Sequence, residues 1–492
     1  MRLKVKSIKS VFWISITKGL SQSASWIVTI LLARLLVPAD FGLVAIAMIF
    51  IAFIEMMNDL GIGVALIQKQ NLNENEINTA FITSILLGIF FTVILFTFSG
   101  FISRFFNNAE LTGIIQAASF GVLLVSIRNV PINLLHRELD FKTISFATVS
   151  SNIISGISSI ILAYSGYKVW SLIIGFLIRE SIMTAVITIA KPIKLKKAFD
   201  RRTMVKLTNF GLPVSGSRII WYFTQNFDYL LVGKILGESI LGLYRVAFVI
   251  GRTPLKKIWL IVNRILVPVF SRLVDDKERL TSYFLRVNRY LALIIVPANI
   301  GLFLLANDFI LVILKEKWIE ILVPLKVFLL LSIVESLSLA CAPLLVAKGM
   351  PKINFKISLL GSLLFIPALL IGIKFKLIGI LVVWAVYLPL MTCIKISVVL
   401  KKLDLPFLTY LNNLRDVFTS TFIMVLGILL ADKLYLSEIT SSYRLFLSVV
   451  LGVMIYFFTI YIWPGKLKVE INDILTNLIN TKSKRKSKLA NA

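Results

Sequence analysis

Long apolar stretches recur along nearly the whole chain and are separated by short polar segments that carry most of the charge. Such stretches are long enough to cross the hydrocarbon core of a membrane as α-helices, and they lack the alternation typical of a membrane barrel. We therefore predict an all-α polytopic membrane protein with about 14 transmembrane helices. The predicted helices span residues 11–33, 41–66, 79–102, 111–131, 143–165, 169–190, 209–233, 239–266, 287–313, 321–345, 353–373, 377–399, 416–436 and 443–464.

The composition supports this class and gives the expected orientation. The 492 residues are 58% hydrophobic with a mean hydropathy of +0.89, which excludes a soluble multidomain protein. Lysine and arginine are concentrated in every second loop, and an even number of helices puts both termini on one side. By the positive-inside rule we expect both termini in the cytoplasm, and hence a multi-pass protein of the bacterial inner membrane. The net charge of +28 is then mainly a topology signal that also attracts membrane lipids, and it does not indicate a nucleic-acid partner.

An internal repeat indicates two homologous halves. Shifting the sequence by 200 residues places Lys18 on Arg218, Leu36 on Leu236 and Gly42 on Gly242. Transporters are often built from such repeats, with the substrate site between them. The predicted domains are an N-terminal six-helix lobe at 1–190, a basic cytoplasmic linker at 191–208, a C-terminal six-helix lobe at 209–400, two additional helices at 401–464 and a basic cytoplasmic tail at 465–492.

Cationic side chains inside the predicted spans are the candidate functional residues. A charge at the middle of a bilayer costs about 2.5–3.5 kcal/mol, so such residues usually face a cavity or a partner. Arg245, Arg252 and Lys256 follow at i, i+7 and i+11, on one helix face, which predicts a cavity for an anion. For Lys256 the favoured interpretation is a side chain that reaches the inner headgroups, and for Arg245 and Arg252 it is the cavity. The predicted substrate-binding residues are Lys18, Gln22, Arg218, Gln225, Arg245, Arg252 and Lys256.

Acidic residues inside the spans are fewer, and two interpretations stay open for them. Each could carry a coupling ion or form a static ion pair, and the candidates are Glu55, Asp59, Asp228 and Glu335. Arg179 and Glu180 are neighbours on one predicted helix, so we expect them to point about 100° apart rather than to pair. A lone His136, two cysteines in apolar runs and the lack of a Walker A sequence predict no metal, no cofactor and no catalytic residue.

Four segments of the chain resemble a known family. They are LLARLLVPADFGLVAIAMIF at 31–50, DLGIGVALIQ at 59–68, RELDFK at 137–142 and DYLLVGKILGESILGLYRVA at 228–247. The chain resembles bacterial oligosaccharide flippases of the multidrug/oligosaccharidyl-lipid/polysaccharide exporter superfamily, in the branch for colanic and teichuronic acid units beside the O-antigen flippases. The resemblance implies two lobes in a V around a cationic cavity, and translocation of undecaprenyl-diphosphate-linked oligosaccharide by alternating access.

The expected function is therefore a non-enzymatic flippase for surface polysaccharide biosynthesis. Its expected partners are the lipid-linked oligosaccharide, membrane lipids, a coupling proton or sodium ion, and polysaccharide polymerase and glycosyltransferases. A multidrug cation antiporter of the same superfamily is one alternative, although it would need an acidic cavity. A membrane-embedded polysaccharide polymerase is another, although the sequence shows neither a long outer loop nor a catalytic acid cluster. A purely structural partner in capsule assembly is a third, which the repeated buried charges disfavour.

Overall fold

The computed structural model describes residues 25, 27–59, 63, 66, 67, 69, 72–193, 199–436 and 439–462. These residues are almost entirely helical and include no β-strand, which confirms the predicted all-α class. Within the same ranges, ten segments are long and apolar enough to cross a membrane, and one of them, Pro351–Leu403, comprises two helices. The chain is a multi-pass membrane protein, while the count of 14 spans stays a prediction.

The chain divides into two compact units, residues 1–245 and 246–492, each with its own packing. Residues 27–35 of the first unit are helical, and α1 follows them after a short break. The other helices of this unit are long, and the last of them continues past its end. They are α1 (Pro38–Asp59), α2 (Glu74–Phe106), α3 (Glu110–Arg137), α4 (Phe141–Tyr164), α5 (Val169–Ala190) and the first part of α6 (Arg201–Leu273).

The second unit contains the end of α6 and the remaining helices. These are α7 (Lys277–Leu304), α8 (Ala306–Phe309), α9 (Leu322–Ser336), α10 (Cys341–Ala347), α11 (Pro351–Gly372), α12 (Lys376–Leu403), α13 (Phe407–Asn412), α14 (Arg415–Ala431) and α15 (Ser441–Ile462). Short 3₁₀ or π segments join several of them. The boundaries of the predicted lobes, linker and tail stay predictions.

Polar caps set several helix ends. Asn73 and Glu76 form a capping box at the start of α2, in which the Glu76 N–H donates to Asn73 Oδ1 over 2.8 Å. Asp276 caps α7 by accepting from the Arg279 N–H at 3.0 Å. Because this cap precedes the apolar stretch, α7 starts at Lys277 rather than at the predicted residue 287. The α6 helix breaks at Gly237, whose φ of 87° suits glycine, inside the predicted gap between 233 and 239.

Small residues bring the helices of the first unit close together. In this unit α2 packs on α3, α3 on α5, and α4 on α5. A Cβ added to Gly175 of α5 would lie 1.8 Å from Ser159 Oγ of α4, so a larger residue at this crossing would displace the serine side chain. Such close approaches let helices associate in lipid, where the hydrophobic effect between them is weak. Large apolar side chains such as Phe101 and Ile161 point outward, as expected for lipid-facing surfaces.

The last two helices belong to the core of the second unit. Met424 of α14 and Tyr456 and Ile460 of α15 are buried in its main apolar cluster. The Tyr456 hydroxyl donates to the Leu293 carbonyl of α7 at 2.9 Å, and Arg444 pairs with Asp308 of α8. These polar contacts fix α15 against α7 and α8.

Candidate functional site

A buried carboxylate of α5 holds two arginines in the first unit. Glu180 is 2% exposed, and its two oxygens contact Arg128 of α3 and Arg179 of α5. The Arg179 Nε donates to Glu180 Oε1 at 2.9 Å, so the expectation that these neighbours do not pair was wrong. The long guanidinium side chain bends back along the helix and spans the angle between the two Cβ directions. The result is an ion-pair triad that links two membrane helices.

The Arg128 side chain is the better enclosed of the two. It is 13% exposed, against 43% for Arg179. Its NH1 also lies 3.4 Å from Thr184 Oγ1, and the threonine hydroxyl donates to the Leu124 carbonyl at 2.9 Å. Arg179 instead lies 5.6 Å from the ring centre of Phe176 and keeps part of its guanidinium accessible. Arg128 is therefore held in the packing, while Arg179 is available to a ligand.

Glu55 of α1 brings a third helix to the same place. It lies within electrostatic reach of Glu180, Arg128 and Arg179. Three residues further along α1, buried Asn58 donates to Ser126 Oγ of α3 at 2.7 Å. Its Oδ1 has no hydrogen-bond partner among the described residues. Glu55 and Asn58 thus present oxygen atoms beside the arginine triad, which is the chemistry that binds a proton or a small cation.

Arg245 and Tyr222 extend this cluster along α6. The Tyr222 hydroxyl donates to the Ile49 carbonyl of α1 at 2.6 Å, and its ring centre is 6.0 Å from that of Phe53. Both Glu55 and Arg245 lie within electrostatic reach of this hydroxyl. Of the predicted site residues, Glu55 therefore lies beside the triad, and Arg245 lies near the Tyr222 hydroxyl that Glu55 also approaches. We call Glu55, Arg128, Arg179, Glu180 and Arg245 the five-charge cluster.

Asp228 lies in a buried contact between the two parts of α6. It is 1% exposed, and its Oδ2 accepts from the Tyr244 hydroxyl at 2.5 Å. Tyr229 and Tyr244 stack edge to face at 5.4 Å. These contacts join the two parts of α6 across the break at Gly237. Gln225, by contrast, is exposed on the same helix.

In the second unit, Arg252 pairs with Glu335 inside an aromatic enclosure. Arg252 of α6 is 3% exposed and contacts the carboxylate of Glu335 on α9. Its guanidinium carbon lies 4.5 Å from the ring centre of Trp384 and 5.1 Å from that of Phe248. The two rings meet beside the cation, where they exclude water from part of its surface and offer π-electron density to it. The Tyr387 hydroxyl is within electrostatic reach of both members of the pair.

A hydrogen bond close to the Arg252–Glu335 pair fixes the register of α9 against α6. The Ser332 hydroxyl donates to the Gly251 carbonyl at 2.6 Å. A Cβ added to Gly251 would lie 2.8 Å from the Phe328 Cβ, so the two helices pack closely here. Ser332 and Glu335 are three residues apart and share the face of α9 that meets α6. This packing places the Glu335 carboxylate next to the Arg252 guanidinium.

The other predicted site residues belong to segments or side chains that the structure does not describe. Lys18 and Gln22 are outside the described residues. Asp59, Arg218 and Lys256 lie in helices, but their side chains fall outside the described part of the chain. The sequence interpretation also missed Arg128 and Trp384 as site residues. Arg128 could have been found from the sequence, since it is a charged residue inside a predicted span. No sequence pattern near Trp384 indicates that its ring will lie against an arginine.

The second unit also has an open cavity of about 650 Å³ where α7 begins and α12 ends. Lys277 and Asp404 form an exposed ion pair at its edge, and the Lys277 ammonium lowers the pKa of the Asp404 carboxyl below its usual value. Arg289 at its wall donates to the Asn413 carbonyl at 3.2 Å. This cavity lies at helix ends, apart from the Arg252–Glu335 pair. Among the residues described, no group of three His, Cys, Asp or Glu is placed to hold a metal ion.

The sequence that forms these membrane helices and their buried charges matches a known protein family. Residues 31–323 match the model of the polysaccharide biosynthesis protein family. The chain belongs to this family. An uncharacterized membrane protein in the cps region of Klebsiella pneumoniae is 26% identical and covers 97% of this chain and 99% of that protein. The lipopolysaccharide biosynthesis protein WzxC of Escherichia coli K12 is 26% identical over 76% of each chain.

Further relatives and solved structures are consistent with this membership. The teichuronic acid biosynthesis protein TuaB of Bacillus subtilis is 27% identical and covers 62% of this chain and 63% of that protein. The fold is similar to that of the lipid II flippase MurJ in an inward closed conformation, with a TM-score of 0.70 and 15% identity over 92% of this chain and 98% of MurJ. The fold is also similar to that of an inward-facing multidrug resistance MATE transporter, with a TM-score of 0.61 and 13% sequence identity. This match covers 80% of this chain and 98% of that transporter.

Proposed function

We propose that this protein is a flippase that moves undecaprenyl-diphosphate-linked oligosaccharide units across the bacterial inner membrane for surface polysaccharide biosynthesis. The observation that carries the proposal is the five-charge cluster within membrane-spanning helices. It contains three arginines and two carboxylates, which leaves one excess positive charge when both acids are ionised. Family membership and the likeness to MurJ support the same substrate class.

The physical task of such a protein is to carry a diphosphate through a medium of low dielectric constant. Desolvating an anion there is costly unless cations replace its water. Arginine suits this role because its planar guanidinium binds phosphate oxygens in pairs. Arg179 and Arg245 are partly exposed, so we assign them the contacts to the diphosphate, while enclosed Arg128 holds Glu180 in place. No covalent step is needed.

The sugars and the prenyl chain place fewer demands on the cluster. Tyr222 and exposed Gln225 lie on the first part of α6, before the break at Gly237, and they offer an aromatic face and an amide to a sugar. The prenyl chain can remain in the lipid. We further propose the inner membrane as the location, with both termini cytoplasmic, and polymerase and glycosyltransferases as partners. The two six-helix lobes belong to this proposal too, with alternating access as the transport mechanism.

The assignment of Arg179 and Arg245 leads to a direct test. Changing both to glutamine is expected to lower transport at least tenfold, because the diphosphate loses its accessible cations. Transport is measured in proteoliposomes as delivery of undecaprenyl-diphosphate-linked oligosaccharide to a leaflet where an added glycosidase can cleave it. Arg104→Gln, an exposed arginine in the last turn of α2, is the matched control and should leave transport unchanged.

Two outcomes would count against the proposal. Full transport by the double variant would remove the five-charge cluster from the substrate path. Ethidium transport by the parent protein, with no movement of the lipid-linked oligosaccharide, would favour the multidrug alternative.

Glu55 is the proposed site of ion coupling. It is the acid of the five-charge cluster that no described ion pair holds, and buried Asn58 stands three residues away. We expect Glu55→Gln to abolish the response of transport to an imposed proton or sodium gradient, because an amide cannot release a proton or offer a carboxylate to sodium. Glu110→Gln, at the exposed start of α3, should keep that response. Unchanged gradient dependence in Glu55→Gln would exclude Glu55.

A further inference from the structure

The open cavity of the second unit lies at the level where phospholipid headgroups meet the protein. Its lining comes from residues 277–289 of α7 and from residues 403–413, which join α12 to α14. The predicted apolar spans on these two sides run over 287–313 and 377–399, so nearly all of the lining stands just outside them. The proposed orientation puts this end of both helices at the cytoplasmic face. A cavity of about 650 Å³ has room for a headgroup.

The short helix α13 indicates that lipid lies beside the cavity. Its Tyr410 is buried and donates its hydroxyl to a backbone carbonyl just after α9 at 2.7 Å, which anchors the helix. On the same helix Phe407, Leu408 and Leu411 are 53%, 67% and 41% exposed. Apolar side chains exposed next to the end of a membrane span are typical of an element that lies in the membrane interface. Thr409 of α13 lines the cavity, so lipid that covers α13 borders the cavity as well.

The walls of the cavity carry both signs of charge in equal number. Lys277 and Arg289 are cationic, whereas Glu278 and Asp404 are acidic. A headgroup with negative charge alone would also meet the two carboxylates, and one with positive charge alone would also meet the two cations. A zwitterion avoids both repulsions, because each of its charges can lie beside the opposite one. The other polar lining residues offer hydroxyl and amide groups, and they are Thr281, Ser282, Thr409 and Asn413.

The cationic wall is built into the packing of the unit. Arg289 is 5% exposed, and its Nε donates to the Asn413 carbonyl at 3.2 Å and to Asn413 Oδ1 at 3.1 Å. The Asn413 amide donates in turn to the Leu285 carbonyl at 2.9 Å. Because asparagine carries no charge, these bonds hold the guanidinium in place without neutralising it. A guanidinium held in this way suits a phosphate group, whose oxygens it binds in pairs.

The acidic wall is accessible and can exchange its partner. The side chains of Lys277 and Asp404 are 55% and 76% exposed in their ion pair, and Glu278 is exposed beside Lys277. Exposed ion pairs are weak, so a second ammonium group can compete with Lys277 for the Asp404 carboxylate. A primary ammonium has three N–H donors and can serve both carboxylates at once.

We propose that this cavity binds the headgroup of a phospholipid that carries a phosphate and a primary ammonium group, as phosphatidylethanolamine does. Arg289 and Lys277 bind the phosphate, Glu278 and Asp404 bind the ammonium, and the acyl chains lie along the exposed apolar side chains of α13. The bound lipid bridges α7 to the segment between α12 and α14, and it stabilises the second unit. The inference rests on the proposed orientation of the chain and does not depend on the proposed substrate.

Lipid titrations of the full-length protein, purified in detergent, test this headgroup site. The melting temperature is followed as dihexanoyl phosphatidylethanolamine, phosphatidylcholine or phosphatidylglycerol is added, and each curve gives a dissociation constant. The ethanolamine lipid should bind at least tenfold more tightly than the other two, because trimethylated choline has no N–H to donate and glycerol has no cation. Equal binding of the ethanolamine and glycerol lipids would overturn the assignment of a zwitterion. Soluble phosphoethanolamine that binds as tightly as the lipid would overturn the assignment of a lipid.

A variant of the two carboxylates tests the location of the site. Glu278→Gln combined with Asp404→Asn should weaken binding of the ethanolamine lipid at least tenfold and remove its advantage over the glycerol lipid. Both side chains are exposed, so the variant without lipid should melt like the parent. Asp275→Asn is the matched control, because this exposed acid precedes α7 but does not line the cavity, and it should leave lipid binding unchanged. A double variant that keeps the selectivity of the parent would overturn the site.

A second variant keeps the test decisive if the double variant does not fold. Thr409→Trp places an indole in the cavity from the exposed side of α13 and leaves all four charges present, so selective lipid binding should be lost. Selective binding that survives this change would overturn the headgroup site. A parent protein that binds the ethanolamine lipid as expected but moves no lipid-linked oligosaccharide would overturn the proposed function and leave the headgroup site standing.

Discussion

Replacing Glu180 by glutamine is expected to destabilise the folded protein by about 3–5 kcal/mol, the usual cost of removing one partner from a buried ion pair. The carboxylate holds both Arg128 and Arg179, and glutamine carries no charge for either. Arg128 is the decisive partner, because its enclosed guanidinium would lose the carboxylate that it contacts directly. The melting temperature of the detergent-purified protein measures this effect, and membrane levels in cells should fall with it.

Variants of the partners separate the effect of buried charge from a general loss of packing. Arg128→Gln added to Glu180→Gln should recover part of the melting temperature, because the uncompensated charge is gone. Glu138→Gln removes a carboxylate that is 48% exposed and pairs with Lys191, and it should cost less than about 1 kcal/mol. The explanation fails if Glu180→Gln melts like the parent, or if the double variant is no more stable than Glu180→Gln alone.

The helices could be predicted from the sequence because a membrane span requires a long apolar stretch. The predicted span 169–190 coincides with α5, and the predicted gap near 237 is where α6 breaks. Hydropathy did not give the start of α7, since residues 277–286 are charged and polar yet helical. The Asp276 cap fixes the start of α7. Hydropathy cannot locate such a cap, because the cap residue is polar and precedes the apolar stretch.

The candidate site was harder to predict, because its pairs are distant in the sequence. Arg128 and Glu180 belong to α3 and α5, and Arg252 and Glu335 to α6 and α9. Which charge meets which depends on helix packing, and that in turn depends on small residues such as Gly251. The sequence could identify Arg252 and Glu335 as costly charges inside spans, but it left open whether each had a partner. The 200-residue repeat likewise aligned Gly42 with Gly242 without showing that their backbones approach each other.

The second large effect is expected at Arg252. Changing Arg252 to methionine should destabilise the protein by about 3–5 kcal/mol, because Glu335 loses its partner and the rings of Trp384 and Phe248 lose the cation beside them. Lysine is not an adequate replacement, since an ammonium lacks the flat guanidinium that lies against the Trp384 ring and reaches Glu335. Arg252→Lys should therefore also melt below the parent, although it keeps the charge.

The double variant Arg252→Met with Glu335→Met separates a structural role from a transport role. Replacing both members of a buried pair by apolar residues of similar size is often neutral for stability, so the melting temperature should return close to that of the parent. If Arg252 also serves the anionic substrate, as its position in a membrane span predicts, transport should stay at least tenfold below the parent in this stable protein. Recovery of transport together with stability would instead make Arg252 a structural partner of Glu335 alone. Ser332→Ala, which removes the neighbouring hydrogen bond to Gly251 but no charge, is the control and should cost about 1 kcal/mol with transport retained.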